Sequence, residues 1–146
     1  AQIGGVDSTV RKTEVHMEAD ARLYVMEKLM THDSQTAVSD MTVEMNGAGS
    51  SAQIVSRSVA KGNSVQTFHP IAIGNALCHA HVQCDSIIMD KAQISSIPEI
   101  NARDIDAQII HEAAIGRINN EQILKLRTFG MTEEEAEAVI IEDFLA

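Results

Sequence analysis

The sequence predicts an all-β-dominated chain, a β-solenoid followed by a C-terminal helix pair. Three observations lead there. Aromatic residues make up only 3% of the 146 residues, with no Trp, one Tyr and three Phe. Aromatics ordinarily supply much of a core's buried area. This core is therefore built from Ile, Val, Ala, Leu and Met, which suits a narrow interior of stacked small and β-branched side chains. From Thr36 to Ile118, short stretches alternate apolar and polar with period two, the strand signal. After Ile118 the texture changes, and two sets of helix-boundary residues follow.

Residues 1–22 are polar and mixed, with Gly4-Gly5 as a breaker, and read as a loop or an edge strand. Residues 23–30 fit helix or strand. Four alternating segments follow: 37–45, 52–60, 80–89 and 107–113. Turn residues punctuate them: Asn46-Gly47, Lys61-Gly62-Asn63, Gly74-Asn75, Asp90-Lys91 and Asn101. The tripeptide Ala-Gln-Ile starts at residues 1, 52, 92 and 107. The segments opening at Ala52, Ala80 and Ala107 are spaced 28 and 27 apart, the near-constant period of stacked coils. Asn119 or Asn120 can cap a first helix, which Gly130 ends. Thr132 opens a second helix, and Glu135 three residues on completes a capping box. Ala136, Val139, Ile140 and Phe144 fall on one face of it. The chain thus divides into a core over 1–118 and a helical segment over 119–146.

Composition excludes several classes. Twenty-one acids against 11 bases leave a net charge of −10. Nucleic acids and anionic membrane surfaces both call for a positive footprint. No apolar run reaches the 18 or more residues of a membrane span. The N-terminus has neither the basic region nor the apolar stretch of a signal peptide. Two cysteines do not make a disulfide scaffold, so a reducing, cytoplasmic setting is expected. The phosphate-binding G-x-x-x-x-G-K-[ST], the dinucleotide G-x-G-x-x-G and the hydrolase G-x-S-x-G patterns are all absent.

The residues with chemistry cluster at His69, Cys78, His79, His81 and Cys84. On an extended 77–88 segment, Cys78, Ala80, Val82 and Cys84 share one face, and His79, His81 and Gln83 share the other. At ~3.3 Å per residue the two cysteines stand roughly 20 Å apart and cannot share an ion. His79 and His81, roughly 7 Å apart by the same rise, can. The spacing is not a zinc pattern. By default, Cys84 is a small buried hydrophobe and the two histidines are solvated. His111-Glu112 forms a second point of interest. Strand neighbours face opposite ways, so only one of the two looks into the core. An inward Glu112 needs a partner, and an inward His111 needs a hydrogen bond.

The second half of the chain carries a longer pattern. Gln83-Cys84-Asp85-Ser86-Ile87-Ile88-Met89 is followed by Ile97-Pro98-Glu99, then by Ile110-His111-Glu112-Ala113. Glu121 to Arg127 leads into Thr128-Phe129-Gly130, and Glu133-Glu134-Glu135-Ala136 comes last. Over residues 50–146 this resembles the C-terminal core of the SufB/SufD family, scaffold components of iron–sulfur cluster assembly. The resemblance implies a right-handed parallel β-helix with a terminal helical segment, and an assembly protein rather than an enzyme. It implies three partners: a soluble ABC-type ATPase met by the helical segment, a sulfur donor protein, and a second subunit. That subunit makes either a homodimer or a SufB–SufD-like heterodimer. Cys84 falls on the family's Q-C-D-S cysteine, which accepts or carries sulfur. His111 and Glu112 fall on the H-E pair implicated in building a transient iron–sulfur cluster.

One segment departs from the pattern. SufB-like chains show C-G-A-H-T-F-P where this chain reads Ala92-Gln93-Ile94-Ser95-Ser96-Ile97-Pro98. The family's Cys and His are absent there, and Ser95 takes the histidine's place. Family members are also longer, so a short paralogue or a fragment is expected. Three functions are therefore carried forward. The first is a working scaffold using Cys84, His111 and Glu112. The second is a non-catalytic structural partner in the same complex. The third is an unrelated metal-binding domain using His79 and His81, with His69.

Overall fold

Alternation with period two turns every second side chain to one face. Strands stacked in parallel pool that face into a shared interior. The computed structural model describes residues 5–146, and these strands do stack so. The strands are β1 (Ser8–Met17), β2 (Arg22–Thr31), β3 (Thr36–Met45), β4 (Ser50–Ala60), β5 (Val65–Gly74), β6 (Cys78–Ile88), β7 (Gln93–Ser96), β8 (Glu99–Ala102) and β9 (Ala107–Gly116). Helices α1 (Asn120–Thr128) and α2 (Glu133–Leu145) follow. One sheet runs β1-β3-β5-β7, with β8 also pairing β5, and the other runs β2-β4-β6-β9. All pairs are parallel. The result is a β-solenoid of about four turns, followed by the helix pair.

The register sets the period. Ser8 lies opposite Thr36, Thr36 opposite Val65, and Val65 opposite Gln93. In the other sheet Ser50 lies opposite Cys78, and Cys78 opposite Ala107. A turn therefore takes 28 or 29 residues. Ala52 does stack on Ala80, but Ala107 stacks on Cys78 rather than on Ala80, which corrects the 27-residue spacing. The first Ala-Gln-Ile lies outside the described residues.

Several expectations are resolved by the pairing. Within residues 1–22 the edge-strand alternative holds, as β1, and residues 23–30 are strand. Strand β5 was not among the expected segments. Pro70 sits in its middle and lacks the N–H of a ladder donor, while Gln66 takes an inward slot. Asn101, expected in a turn, lies in β8. The fourth turn of the first sheet is split into β7 and β8, with Ile97-Pro98 in the gap.

The corners are as periodic as the strands. Asp33, Gly62 and Asp90 all adopt positive φ at successive turns of one corner. Glycine and aspartate are among the few residues that tolerate this region. Asn63 N donates to Asp33 O at 2.8 Å, and Lys91 N to Gly62 O at 3.0 Å, so each corner hangs on the one before. At the opposite corner, a Cβ on Gly47 would run into the backbone of Glu18 and Ala19. Only glycine lets those two turns approach.

The interior has two halves. One is apolar, with Met17, Val43, Met45, Ile54, Phe68 and Val82 in a single cluster. The other is polar and largely hydrogen-bonded. Glu27 is buried, ion-paired with Arg11, and accepts from Ser39 Oγ at 3.1 Å. Gln66 Nε2 donates to Thr31 Oγ1 and to Val59 O, and Ser58 bonds Ser86 at 2.9 Å. Such pairing removes most of the cost of burying these groups.

Outside the solenoid, α2 docks through Ile141 on Val59 and Met89, with Ile118, Phe144 and Leu145 packed alongside. Asn119 caps α1 by accepting from Glu121 N, and Thr132 and Glu135 form the capping box on α2. Gly130 has the positive φ of a helix-ending residue. The buried face differs by one position from that expected. Val139 is 42% exposed, and Ile141 takes its place beside Ala136. No helix among the described residues is long and apolar enough to cross a membrane.

Candidate functional site

Strand β6 sorts its side chains as period two requires. Cys78, Ala80, Val82, Cys84 and Ser86 are buried inside, and His79, His81, Gln83 and Asp85 face outward. Cys78 and Cys84 are both free thiols. Strand β9 lies against β6 with Val82 opposite His111 and Cys84 opposite Ala113. His111 therefore shares the inner face. Ala113 is too small to fill the space over Cys84, and the imidazole leans diagonally across the pleat. His111 Nε2 comes within 3.6 Å of Cys84 Sγ, a weak sulfur–nitrogen hydrogen bond.

The thiol lies in a mixed environment. Cys84 is 4% exposed. Burial pushes its pKa up, the Ser96 hydroxyl pulls it down, and the carboxylates of Asp85 and Glu27 push it up further. Burial also raises Cys78, against a backbone hydrogen bond from Ala76 and with Asp104 adding to the rise. A cavity of about 10 Å³ adjoins Cys84, lined also by Ser96, Ser86, Ser58, Ser39 and Glu27. These serines and Glu27 were not among the residues expected at a site. Their signal was present: small polar residues occupy strand positions that alternation assigns to the core.

Other expected residues are placed apart. Glu112 pairs in register with Gln83 and faces outward, where its carboxylate lies 3.3 Å from His81 Nε2. It is not brought to the Cys84–His111 pair. His79 is exposed on the same outer face as His81. His69 projects outward from the other sheet, 3.6 Å from Asp40 and 3.7 Å from Glu99. It does not meet His79 or His81. Among the described residues, no group of three or more His, Cys, Asp or Glu is arranged to hold a metal ion.

A parallel solenoid with a thiol and an imidazole in its interior can be set beside known proteins. A family profile described as the SufBD core domain, SUF system FeS cluster assembly, matches residues 2–144. A protein of Methanothermobacter thermautotrophicus (strain Delta H) named iron–sulfur cluster assembly SufBD family protein is 34% identical over 106 residues. That match covers 71% of this chain and 26% of the relative. A Pyrococcus horikoshii protein of the same family name is 31% identical over 142 residues, covering 92% of this chain and 44% of its own. An Archaeoglobus fulgidus relative, named likewise, is 29% identical over 136 residues, 89% of this chain and 36% of that one. The chain spans less than half the length of these relatives. The profile takes in all four turns of the solenoid and nearly all of the helix pair, with Cys84 and His111 inside it: the chain belongs to the SufBD family.

Proposed function

We propose that the chain is a component of a Suf-type iron–sulfur cluster assembly scaffold, in which Cys84 receives sulfur and, with His111, holds iron during assembly. The observation that carries this reading is the 3.6 Å approach of His111 Nε2 to the Cys84 thiol inside the solenoid. A thiolate is the sulfur nucleophile and the usual iron ligand, and a neighbouring imidazole can take its proton. Imidazole also suits iron as a ligand. Burial shields the sulfur from oxidation. The cluster is cargo, assembled and handed on. Glu112, on the outer face beside His81, serves from the surface of β9, the strand that carries His111.

Family membership supports the rest of the assignment. The partners are a soluble ABC-type ATPase on the α1–α2 segment, a persulfide donor protein, and a second subunit, identical or related, at the last turn. The setting is the cytoplasm. Anaerobic reconstitution with iron and sulfide, followed by visible absorption and Mössbauer spectra, tests the site. Wild type is expected to assemble a cluster and Cys84→Ala to fail. A cluster of equal yield in both would remove Cys84 from the site.

One observation favours a structural-partner role instead. Ala92 and Ser95 stand where SufB-like chains carry Cys and His, which leaves the pair Cys84 and His111 at this site. On that reading a folded protein assembles no cluster alone, and a related subunit supplies the missing ligands.

A further inference from the structure

Ser96 differs from Ser39, Ser58 and Ser86 around the cavity. Ser58 and Ser86 bond each other, and Ser39 donates to Glu27. Ser96 Oγ is buried and, among the described residues, is the side-chain polar atom left without a hydrogen-bond partner. An orphaned buried hydroxyl is costly and calls for an explanation. It lines the same cavity as Cys84 and lies close enough to act on the thiol. That cavity, of about 10 Å³, is at the lower limit for one water-sized group.

We propose that this cavity receives the outer sulfur of a persulfide formed on Cys84, and that Ser96 is the positioning residue that donates a hydrogen bond to it. This rests on the assignment of Cys84 as sulfur acceptor. His111 takes the Cys84 proton, and the thiolate attacks the outer sulfur of a donor persulfide. A new S–S bond forms on Cys84 as the donor's S–S bond breaks. The donor leaves as a thiolate and collects the proton from His111. The transferred sulfur carries negative charge when ionised, and the unused O–H of Ser96 is available to meet it. Glu27 borders the same space, but its carboxylate is held by Arg11 and Ser39. Ser96 thus holds the sulfur within the cavity, away from the Glu27 carboxylate. The side of the thiol that faces the last turn is thinly covered, since Ala113, opposite Cys84, is exposed.

The test loads the protein with inorganic polysulfide and follows one added sulfur on Cys84 by mass spectrometry, with Cys84→Ala as the blank. Wild type is expected to hold the persulfide. Ser96→Ala is expected to lose it about ten times faster, the rate equivalent of one hydrogen bond to a charged acceptor. Ser96→Thr restores the lifetime, whereas Ser96→Val, the same shape without the hydroxyl, does not. Should Ser96→Ala fail to fold, the Thr and Val pair decides. Equal persulfide lifetimes in the Thr and Val variants overturn the role of Ser96 while leaving Cys84 as acceptor. No sulfur on wild-type Cys84 overturns the acceptor assignment itself.

Discussion

Cys84 and Cys78 both hold their protons more tightly in the folded chain than a free thiol does, because burial disfavours the thiolate. The sign of the stability effect follows. A group whose pKa is raised by folding contributes fully below its unfolded pKa, and that contribution is lost as pH rises through the folded pKa. The unfolded thiol titrates near ~8.5, so the loss begins above that pH. The urea midpoint is therefore expected to fall between neutral and alkaline pH, and to fall less in a Cys78→Ala/Cys84→Ala variant. Matching slopes in urea titrations of the two proteins would contradict the burial argument. The inward direction of both thiols was legible from alternation alone. Which side chain meets Cys84 was not, because Ser96 and His111 come from the next turn of the solenoid.

Helix α2 illustrates the element scale. Its start was legible, since Thr132 and Glu135 satisfy each other's backbone N–H groups over four residues. Its buried face was legible only in part, because the solenoid decides the rotation of the docked helix. Val59 and Met89 lie under Ile141, so Ile141 turns in and Val139 turns out. Ile141→Ala is expected to cost about 2–4 kcal/mol, the range for deleting a buried Ile side chain. Val139→Ala is expected to stay within about 0.5 kcal/mol, as exposed substitutions do. Chemical denaturation of the two variants checks the contrast. A larger loss at Val139 would show that the other face of α2 carries the docking.

At the scale of the whole molecule, stability in a solenoid is a sum of turns and of the interfaces between them. The turns of β3–β4 and β5–β6 are covered on both sides. The β1–β2 turn and the β7–β9 turn each have one neighbour. The last turn is also split at Pro98, and its inward residues Ala113 and Ile115 are exposed. Local opening free energies follow such differences in burial. Amide hydrogen exchange is therefore expected to be slowest in β3 to β6 and faster in β1, in β2 and in β7 to β9. Uniform protection from β1 to β9 would mean that the solenoid opens only as one unit. The face nearest Cys84 thus belongs to the less covered last turn, which suits a site where sulfur enters.

By itself, the sequence determined the features that are local or periodic. The scarcity of aromatics, the period-two segments, the corner residues and the helix caps each report on a few neighbouring positions, and together they specified a β-solenoid with a helix pair. The tertiary structure decided what depends on neighbours a full turn away. Strand β5 exists despite Pro70 because β3 and the last turn flank it on both sides. The register of 28 or 29 residues depends on how many residues each corner consumes, and corners are where sequence patterns are weakest. A miscount of two residues preserves which side chains point inward but moves every lateral partner by one pleat. That is why the inner face of β6 could be read from the chain, while the meeting of Cys84, His111 and Ser96 could be seen only once the turns were stacked.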